Sequence, residues 1–583
     1  MKLRKDEEKK PVEQLVLPAG YNIINGTTYL VDRINNLKVV MNDSYVPYAF
    51  VKEVDRQGEL EKIEAIRLIN SENKIITIKT DAIFGSHRAF IDSCRLNGLI
   101  IFEESAKDIK QFCTALLKDP EKYFPNKHLI AKQSGFVGKE LAFAFPNEVI
   151  QKLDTDSTVI HPSINNILKC AVEPKGSYDI YREKILAPNA PNIVKFLIIY
   201  SLSSMLLDFA DVESGGFHLY GPSGSGKTTG ARLAGSVYGR ATAPDRNISG
   251  RSYLKQLNLT DNAVEPLFPL YNNLLLIFDE FGKLITLDLS AFLYKIGSGA
   301  HKIRTNTSLE LVESEPSRGF ILTTGEISIA QALANANESN QAKGKAVRLP
   351  SILIKPEYFE TDEQSSHDYV QEVTKVITNN YGHLSRDFIV KLFNYVKTYE
   401  DVASMVEDYF SVAFYNYIEK LEPKTSIENR FLQRLAFIHS VAQIAFELGV
   451  LTWNYDDIDE AMMFIYECWK SEDSNTMTDA EVGVKNIINF IKRNAHCFLD
   501  AENDDIWGKS DIIGYEKGNN FYILPERFER LCGTAHIDDV LKLLSQKGLL
   551  RSDKGKRVKR AELKAVGKRA YYYVLSRDIL SEI

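Results

Sequence analysis

The sequence predicts an α/β core built around a phosphate-binding loop. An α+β domain precedes it, a helical lid follows it, and a winged helix ends the chain. Three observations predict this order: a Gly-rich octapeptide between an apolar run and a helical pattern, a second apolar run ending in two acids, and a switch to helical periodicity that closes on a basic tract. Strands alternating with helices through residues 161–355 argue for a parallel sheet with helices on both faces.

The octapeptide is Gly221-Pro222-Ser223-Gly224-Ser225-Gly226-Lys227-Thr228, followed by Thr229. It matches G-x-x-x-x-G-K-[ST] at every fixed position. Glycines let the backbone curl so that successive N–H groups face phosphate oxygens. Lys227 would reach the β- and γ-phosphates of ATP, and the Thr228 hydroxyl would ligate Mg²⁺. The run Gly216–Tyr220 before the loop reads as a strand and Thr229–Tyr238 after it as a helix, the context that separates such a loop from a Gly/Ser surface turn.

The second element is Leu274–Phe278, a continuous apolar run of the kind buried on both faces of a parallel sheet. It ends in Asp279-Glu280, where open α/β sheets bind ligands. Asp279 would hold Mg²⁺ through water, and Glu280 would polarise the attacking water. The pair favours an ATPase over a small-molecule kinase, because hydrolysis needs a base.

The chain has 583 residues, 44% apolar and 26% charged, with net charge -7, so three or four domains are expected and any nucleic-acid contact must be local. Cys94, Cys113, Cys170, Cys468, Cys497 and Cys532 are scattered without a C-x-x-C pair, which reads as a reduced, cytoplasmic, zinc-free protein. The first ten residues are charged and do not read as a signal peptide. The apolar stretch near 193–207 is interrupted by Lys195, Tyr200 and serines, and is read as too short and polar to span a bilayer.

Residues 1–160 read as the α+β domain: strands at Tyr21–Ile24, Thr28–Val31, Ala65–Ile69 and Ile75–Thr80, helices at Ser86–Asn97 and Ala106–Leu117. Residues 161–355 hold the ATPase core. Residues 356–478 read as a helical lid, with amphipathic spacing over Asp368–Thr378, Ser385–Thr398, Tyr399–Lys420, Glu428–Leu448 and Tyr455–Trp469. Residues 479–583 read as a winged helix: helices Glu481–Asn494 and Ile537–Lys547, then strands Leu549–Arg551 and Tyr571–Leu575 flanking a basic loop.

Four further constellations carry chemistry. Thr323-Thr324 ends the strand Gly319–Gly325. A polar residue there lies between γ-phosphate and water, and Thr324, which leaves the strand, is favoured over Thr323 or a plain sheet-edge threonine. Arg348 would fork onto the phosphate of a neighbouring subunit in a head-to-tail ring, with Arg318 as competitor and a structural ion pair as the plain reading. Arg430 and Arg434, one turn apart on a lid helix, offer a second phosphate contact or a solvated pair. Between Glu280 and Thr324, Lys302-Ile303-Arg304 and Leu309–Val312 alternate around Asn306-Thr307-Ser308, a hairpin whose Lys302 and Arg304 share one face and could grip single-stranded DNA in a channel. The tract containing Lys554, Lys556, Arg557, Lys559 and Arg560 is a basic wing fit for double-stranded DNA, or else a solubilising loop or a dock for an acidic partner.

Tyr294–Arg304, Leu322–Glu326 and Gly344–Arg348 together resemble the MCM-like AAA+ helicases carried by staphylococcal cassette chromosome elements and related phage and plasmid islands. The similarity runs from about residue 45 through the winged helix. It implies an AAA+ P-loop core, a homo-hexamer with an arginine finger in trans, and a self-loading DNA helicase that replicates a mobile element beside element-encoded replication proteins, away from membranes. Lys302 and Arg304 match the family's pre-sensor hairpin and Arg348 its finger. Ala300-His301 stand where a Gly- or Gln-rich turn is expected, and the Arg-Phe-Asp triplet of true MCM proteins is missing after the sensor. Two other readings stay open: a DNA-binding AAA+ initiator or regulator that hydrolyses ATP without unwinding, and a P-loop kinase, which the acid pair, the lid and the basic C-terminus oppose.

Overall fold

The computed structural model describes residues 16–581 except 25–26, 32–33, 35, 42–44, 56–57, 100, 102, 153–159, 163–167, 242–251, 257–265, 281–288, 299–303, 306–310, 313–316, 336–345, 476–478, 503–511, 534, 554–555 and 568. The first part of the chain holds a five-stranded sheet in the order 160–161, 126–131, 46–54, 59–69, 75–79. Helices His87–Leu96 and Glu103–Leu116 cover one face. Phe50, Ile66, Leu68, Ile76 and Ile78 meet Phe90, Ile109 and Phe112 there, as period-two strands and 3.6-period helices require. The strand Val46–Val54 lies outside the sequence reading. Its first six residues are all buried, so it lacks the alternation that marks a half-buried strand.

The central sheet is parallel throughout. Its strands are β1 (Gly215–Tyr220), β2 (Lys255–Gln256), β3 (Leu276–Asp279), β4 (Phe320–Gly325) and β5 (Ser351–Leu353), in the order β2-β3-β4-β1-β5. Helix α1 (Asn192–Ser203) packs on α2 (Lys227–Ser236) and on the later helices. Among the described residues one stretch, Asn192–Phe209, is long and apolar enough to cross a membrane, and 83% of it is buried inside the protein. The sequence reading that it is too short is corrected: its apolarity belongs to a core helix.

Five helices follow: α3 (Ser366–Asn379), α4 (Leu384–Tyr395), α5 (Tyr399–Leu421), α6 (Ser426–Glu447) and α7 (Tyr455–Asn475). Ser365, Thr398 and Thr425 cap α3, α5 and α6 by accepting from backbone N–H groups three residues on. One hydrophobic cluster joins sheet and helices, from Phe136 through Phe217, Ile277 and Leu322 to Phe431 and Trp469. The buried Lys195 of α1 pairs with Asp457 of α7 at 2.7 Å. Arg386 of α4 reaches back to Glu148 at 2.6 Å and to the Val172 carbonyl at 2.7 Å. Asn272 donates to the Ser134 carbonyl at 2.7 Å and accepts from Arg318 N–H at 2.9 Å, tying residue 134 to the starts of β3 and β4.

The last part combines helices Asp479–Arg493, Pro525–Leu531 and Ile537–Gln546 with a sheet ordered 498–500, 514–517, 520–523, 569–576, 550–551, in which Lys559–Glu562 also pairs with Arg569–Ser576. Two strands were expected, and six are present among the described residues. The hairpin of Gly514–Lys517 with Asn520–Ile523 turns at Gly518, whose φ of 58° suits glycine. The expected basic loop is half strand: Lys559–Glu562 is charged at three of four positions, which hides it from a hydrophobic pattern.

Candidate functional site

The loop 221–226 leaves the C-terminal end of β1, enclosed in the sheet between β4 and β5, and enters α2. Ser223 through Thr229, with Glu280, Thr324 and Glu326, line a cavity of about 800 Å³. Gly226 has φ 96°, and a Cβ there would sit 2.5 Å from the Phe359 ring, so glycine is required twice over. Lys227 Nζ donates to the carbonyls of Gly221 at 2.8 Å and Pro222 at 2.7 Å. Burial lowers its pKa, opposed by Glu326 and Asp279.

Two sequence-predicted hydroxyls converge on the Asp279 carboxylate. Thr228 Oγ1 donates to Asp279 Oδ1 at 3.3 Å, and Thr324 Oγ1 donates to the same oxygen at 2.6 Å. The Glu280 N–H donates to Thr324 Oγ1 at 3.0 Å. Thr324 therefore locks the two acids together. Glu280 has φ 64°, a left-handed conformation that costs a non-glycine residue about 1–3 kcal/mol and gathers at functional sites. Among the described residues no cluster of three or more His, Cys, Asp or Glu could hold a metal. A threonine hydroxyl and one carboxylate are hard oxygen donors that fit Mg²⁺ shared with phosphate oxygens.

His218, on β1, was missed in the sequence. Its Nε2 lies 2.9 Å from the Ile327 carbonyl, which can only accept, so Nε2 carries the proton and Nδ1 accepts from Thr323 Oγ1 at 2.7 Å. Thr323 thus faces His218 while Thr324 faces the acids. A polar residue inside an otherwise apolar strand was the available signal. Burial pushes the His218 pKa down to about 4. Its stabilising effect is then complete above the ordinary value of 6.5 and drains as pH falls toward about 4. His218→Ala is expected to leave the Thr323 hydroxyl and Ile327 carbonyl unpaired, costing about 1–3 kcal/mol for each, and to flatten that acid limb. Urea titrations of both proteins from pH 7 to pH 4 check this.

The arginines separate. The Arg348 carbonyl accepts from Gly216 N–H at 2.9 Å, which places it at the start of β1, the end of the sheet opposite the loop. Its guanidinium stands 4.7 Å from the Tyr294 ring centroid, and Gly297 leaves room for its stem, since a Cβ there would lie 2.6 Å from Arg348 Cδ. Arg318 donates to the carbonyls of Ala210 at 3.0 Å and Val212 at 2.6 Å, a bracing role. Arg434 is corrected: it is buried and donates to the carbonyls of Gly216 at 3.3 Å and Val347 at 3.1 Å, remote from the loop. Arg430 is exposed and is not among the residues lining the cavity beside the loop.

Arg304-Thr305 pairs antiparallel with Leu311-Val312, one residue pair of which is Arg304 with Val312. Lys302 and the turn at 306–308 lie outside the described residues, as does Lys554. Lys556, Arg557 and Arg560 are exposed and Lys559 half-buried, beside or within the strand Lys559–Glu562.

Residues 53–313 match a family model described as a domain of unknown function (DUF927), and residues 480–579 match the Cch helix turn helix domain. A solved structure described as SCCmec type IV Cch, active helicase, is similar with a TM-score of 0.67 and 19% identity, covering 96% of this chain and 99% of that one. No curated protein matches the chain. The class is thus a mixed α/β protein with a Cch helicase-like fold and a C-terminal helix-turn-helix domain. The resemblance to the cassette chromosome helicases read from the sequence stands on that shared fold and domain.

Proposed function

We propose that the chain is an ATP-driven DNA helicase: a hexameric, self-loading AAA+ ring that unwinds duplex DNA for replication of a mobile element. The observation that carries this reading is the Thr324 hydroxyl between Asp279 and Glu280, beside Thr228 on the Lys227 loop. The similarity to a structure described as an active helicase supports it. In this reading residues 161–355 are the AAA+ core, 356–478 the lid, 479–583 a winged helix and 1–160 a separate N-terminal domain.

The loop N–H groups and Lys227 bind the ATP phosphates. Thr228 and Asp279 would hold Mg²⁺, which would supply positive charge to neutralise the phosphates. Glu280 takes the proton of the attacking water, and Thr324 keeps Glu280 and Asp279 in register. Arg348 from a neighbour stabilises the transition state. Hydrolysis moves the 304–312 hairpin along one strand while the C-terminal domain holds duplex.

A strand-displacement assay on a forked duplex, run beside sizing with nucleotide, tests the reading: ATP-dependent displacement by a ring is expected, and ATP turnover without displacement would favour the initiator or regulator. Lys302→Ala with Arg304→Ala is expected to stop displacement and keep basal ATPase nearly intact, because neither belongs to the nucleotide site. Loss of both activities together would remove the hairpin from translocation.

A further inference from the structure

The C-terminal domain has the helix order of a DNA-binding helix-turn-helix, in which the second helix of the motif puts its N-terminal residues on base edges. Here that helix is Ile537–Gln546. Val540, Leu541 and Leu544 are buried against the domain core, so Asp538, Asp539, Lys542, Ser545 and Gln546 make its exposed side. Its first turn carries two carboxylates where a reading helix meets the DNA. The helix has no arginine and no asparagine, and its exposed Lys542 and Gln546, which can also fork onto guanine and adenine, lie beyond the first turn, away from the end that meets base edges. Asp538 is held by Arg557 of the neighbouring wing. The acids suit the positive end of the helix dipole and repel phosphates.

The wing is built the other way. Lys559–Glu562 and Arg569–Ser576 form a hairpin with Arg560 opposite Tyr571. One side, through Tyr572, Leu563 and Val574, is buried in a small apolar cluster. The other shows the Arg560 guanidinium 5.9 Å from the ring centroid of Tyr571, which is 47% exposed. Lys556 and Arg557 are exposed at the base of the same hairpin. Among the described residues of the wing, the Asp553 carboxylate accepts from the Arg560 N–H at 3.1 Å, and Glu562 pairs with Arg569 at 3.2 Å.

We infer that this domain grips duplex DNA by its phosphate backbone through the wing, with Lys556, Arg557 and Arg560 as contacts and Tyr571 positioning Arg560, and that the helix Ile537–Gln546 reads no bases. Binding by this domain is then independent of sequence. The inference rests on the helicase reading for its partner, DNA.

The test uses the full chain in a Lys302→Ala/Arg304→Ala background, so that duplex binding reports on the C-terminal domain. A pool of randomised duplexes is expected to return no enriched motif, and two duplexes of equal length and unlike sequence to bind within about twofold of each other, as backbone contacts dictate. Arg557→Ala with Arg560→Ala should weaken both equally and make the slope of log affinity against log salt shallower by about two. Tyr571→Ala should lower affinity severalfold, and Tyr571→Phe should restore it, because the ring and not the hydroxyl holds the guanidinium. Lys542→Ala with Gln546→Ala should change neither affinity nor selectivity. Far-ultraviolet circular dichroism and a thermal unfolding curve matching the parent certify that each variant is folded. An enriched motif that disappears in Lys542→Ala/Gln546→Ala, or duplex binding indifferent to the wing variants, overturns the inference. Failure of the unmutated chain to displace a strand sinks the helicase reading instead, and the pool result still decides this one.

Discussion

Lys227→Ala is expected to abolish ATP hydrolysis, and Glu280→Gln to bind ATP normally yet turn it over very slowly. The two losses differ in kind. In the proposed reading Lys227 touches phosphate charge in both ground and transition states, so its removal weakens nucleotide binding and chemistry together. Removing one such donor costs about 10²–10³ in rate. In the proposed reading Glu280 acts only on water, and a positioned base contributes about 10²–10⁴. Its backbone, held at φ 64° with N–H bonded to Thr324, keeps the same geometry when glutamine replaces it. Nucleotide affinity and single-turnover hydrolysis measured on both variants separate the effects. Normal turnover in either variant would remove these residues from the site.

Arg348→Ala is expected to be nearly as damaging, and to be rescued by mixing. Six strand residues, about 20 Å of extended chain, separate the start of β1, where Arg348 is anchored, from the loop of the same subunit. No side chain spans that gap, so any contact with ATP must be with a neighbour's. A finger of this kind is worth about 10³–10⁵ in turnover. Arg348→Ala subunits keep an intact loop, and Lys227→Ala subunits keep an intact finger. Mixed rings therefore contain interfaces with both, and ATPase should return when two inactive preparations are combined. Mixed rings that form and stay inactive would make Arg348 a structural residue packed against the Tyr294 ring.

The phosphate loop and the acid pair were legible because their chemistry is contiguous. The glycine-rich loop and the two acids are each contiguous in the chain, and a strand before the loop and a helix after it place the loop without help from distant chain. The lid helices were legible for a related reason: each spans enough turns for its apolar face to repeat, and the observed α5 and α7 begin where the pattern does, at Tyr399 and Tyr455. Val46–Val54 was not legible, because a strand covered on both faces has no alternation to detect.

The sequence by itself determined what lies along a few consecutive residues: the cradle at 221–228, the acids at 279–280, the helical periodicity of 366–475 and the basic tract before Tyr571. Only the tertiary structure decided which neighbour each side chain meets. Alternation puts Thr323 and Thr324 on opposite faces of β4 but cannot say that one face holds His218 and the other Asp279. Arg318 and Arg434 spend their donors on carbonyls 87 to 218 residues away in sequence, contacts that any backbone can supply and no residue pattern announces. Arg348 is set apart from them by its place at the far end of the sheet against Tyr294. Local chemistry is written in adjacency, whereas the partner of a long cationic side chain depends on which backbone the fold brings within its reach.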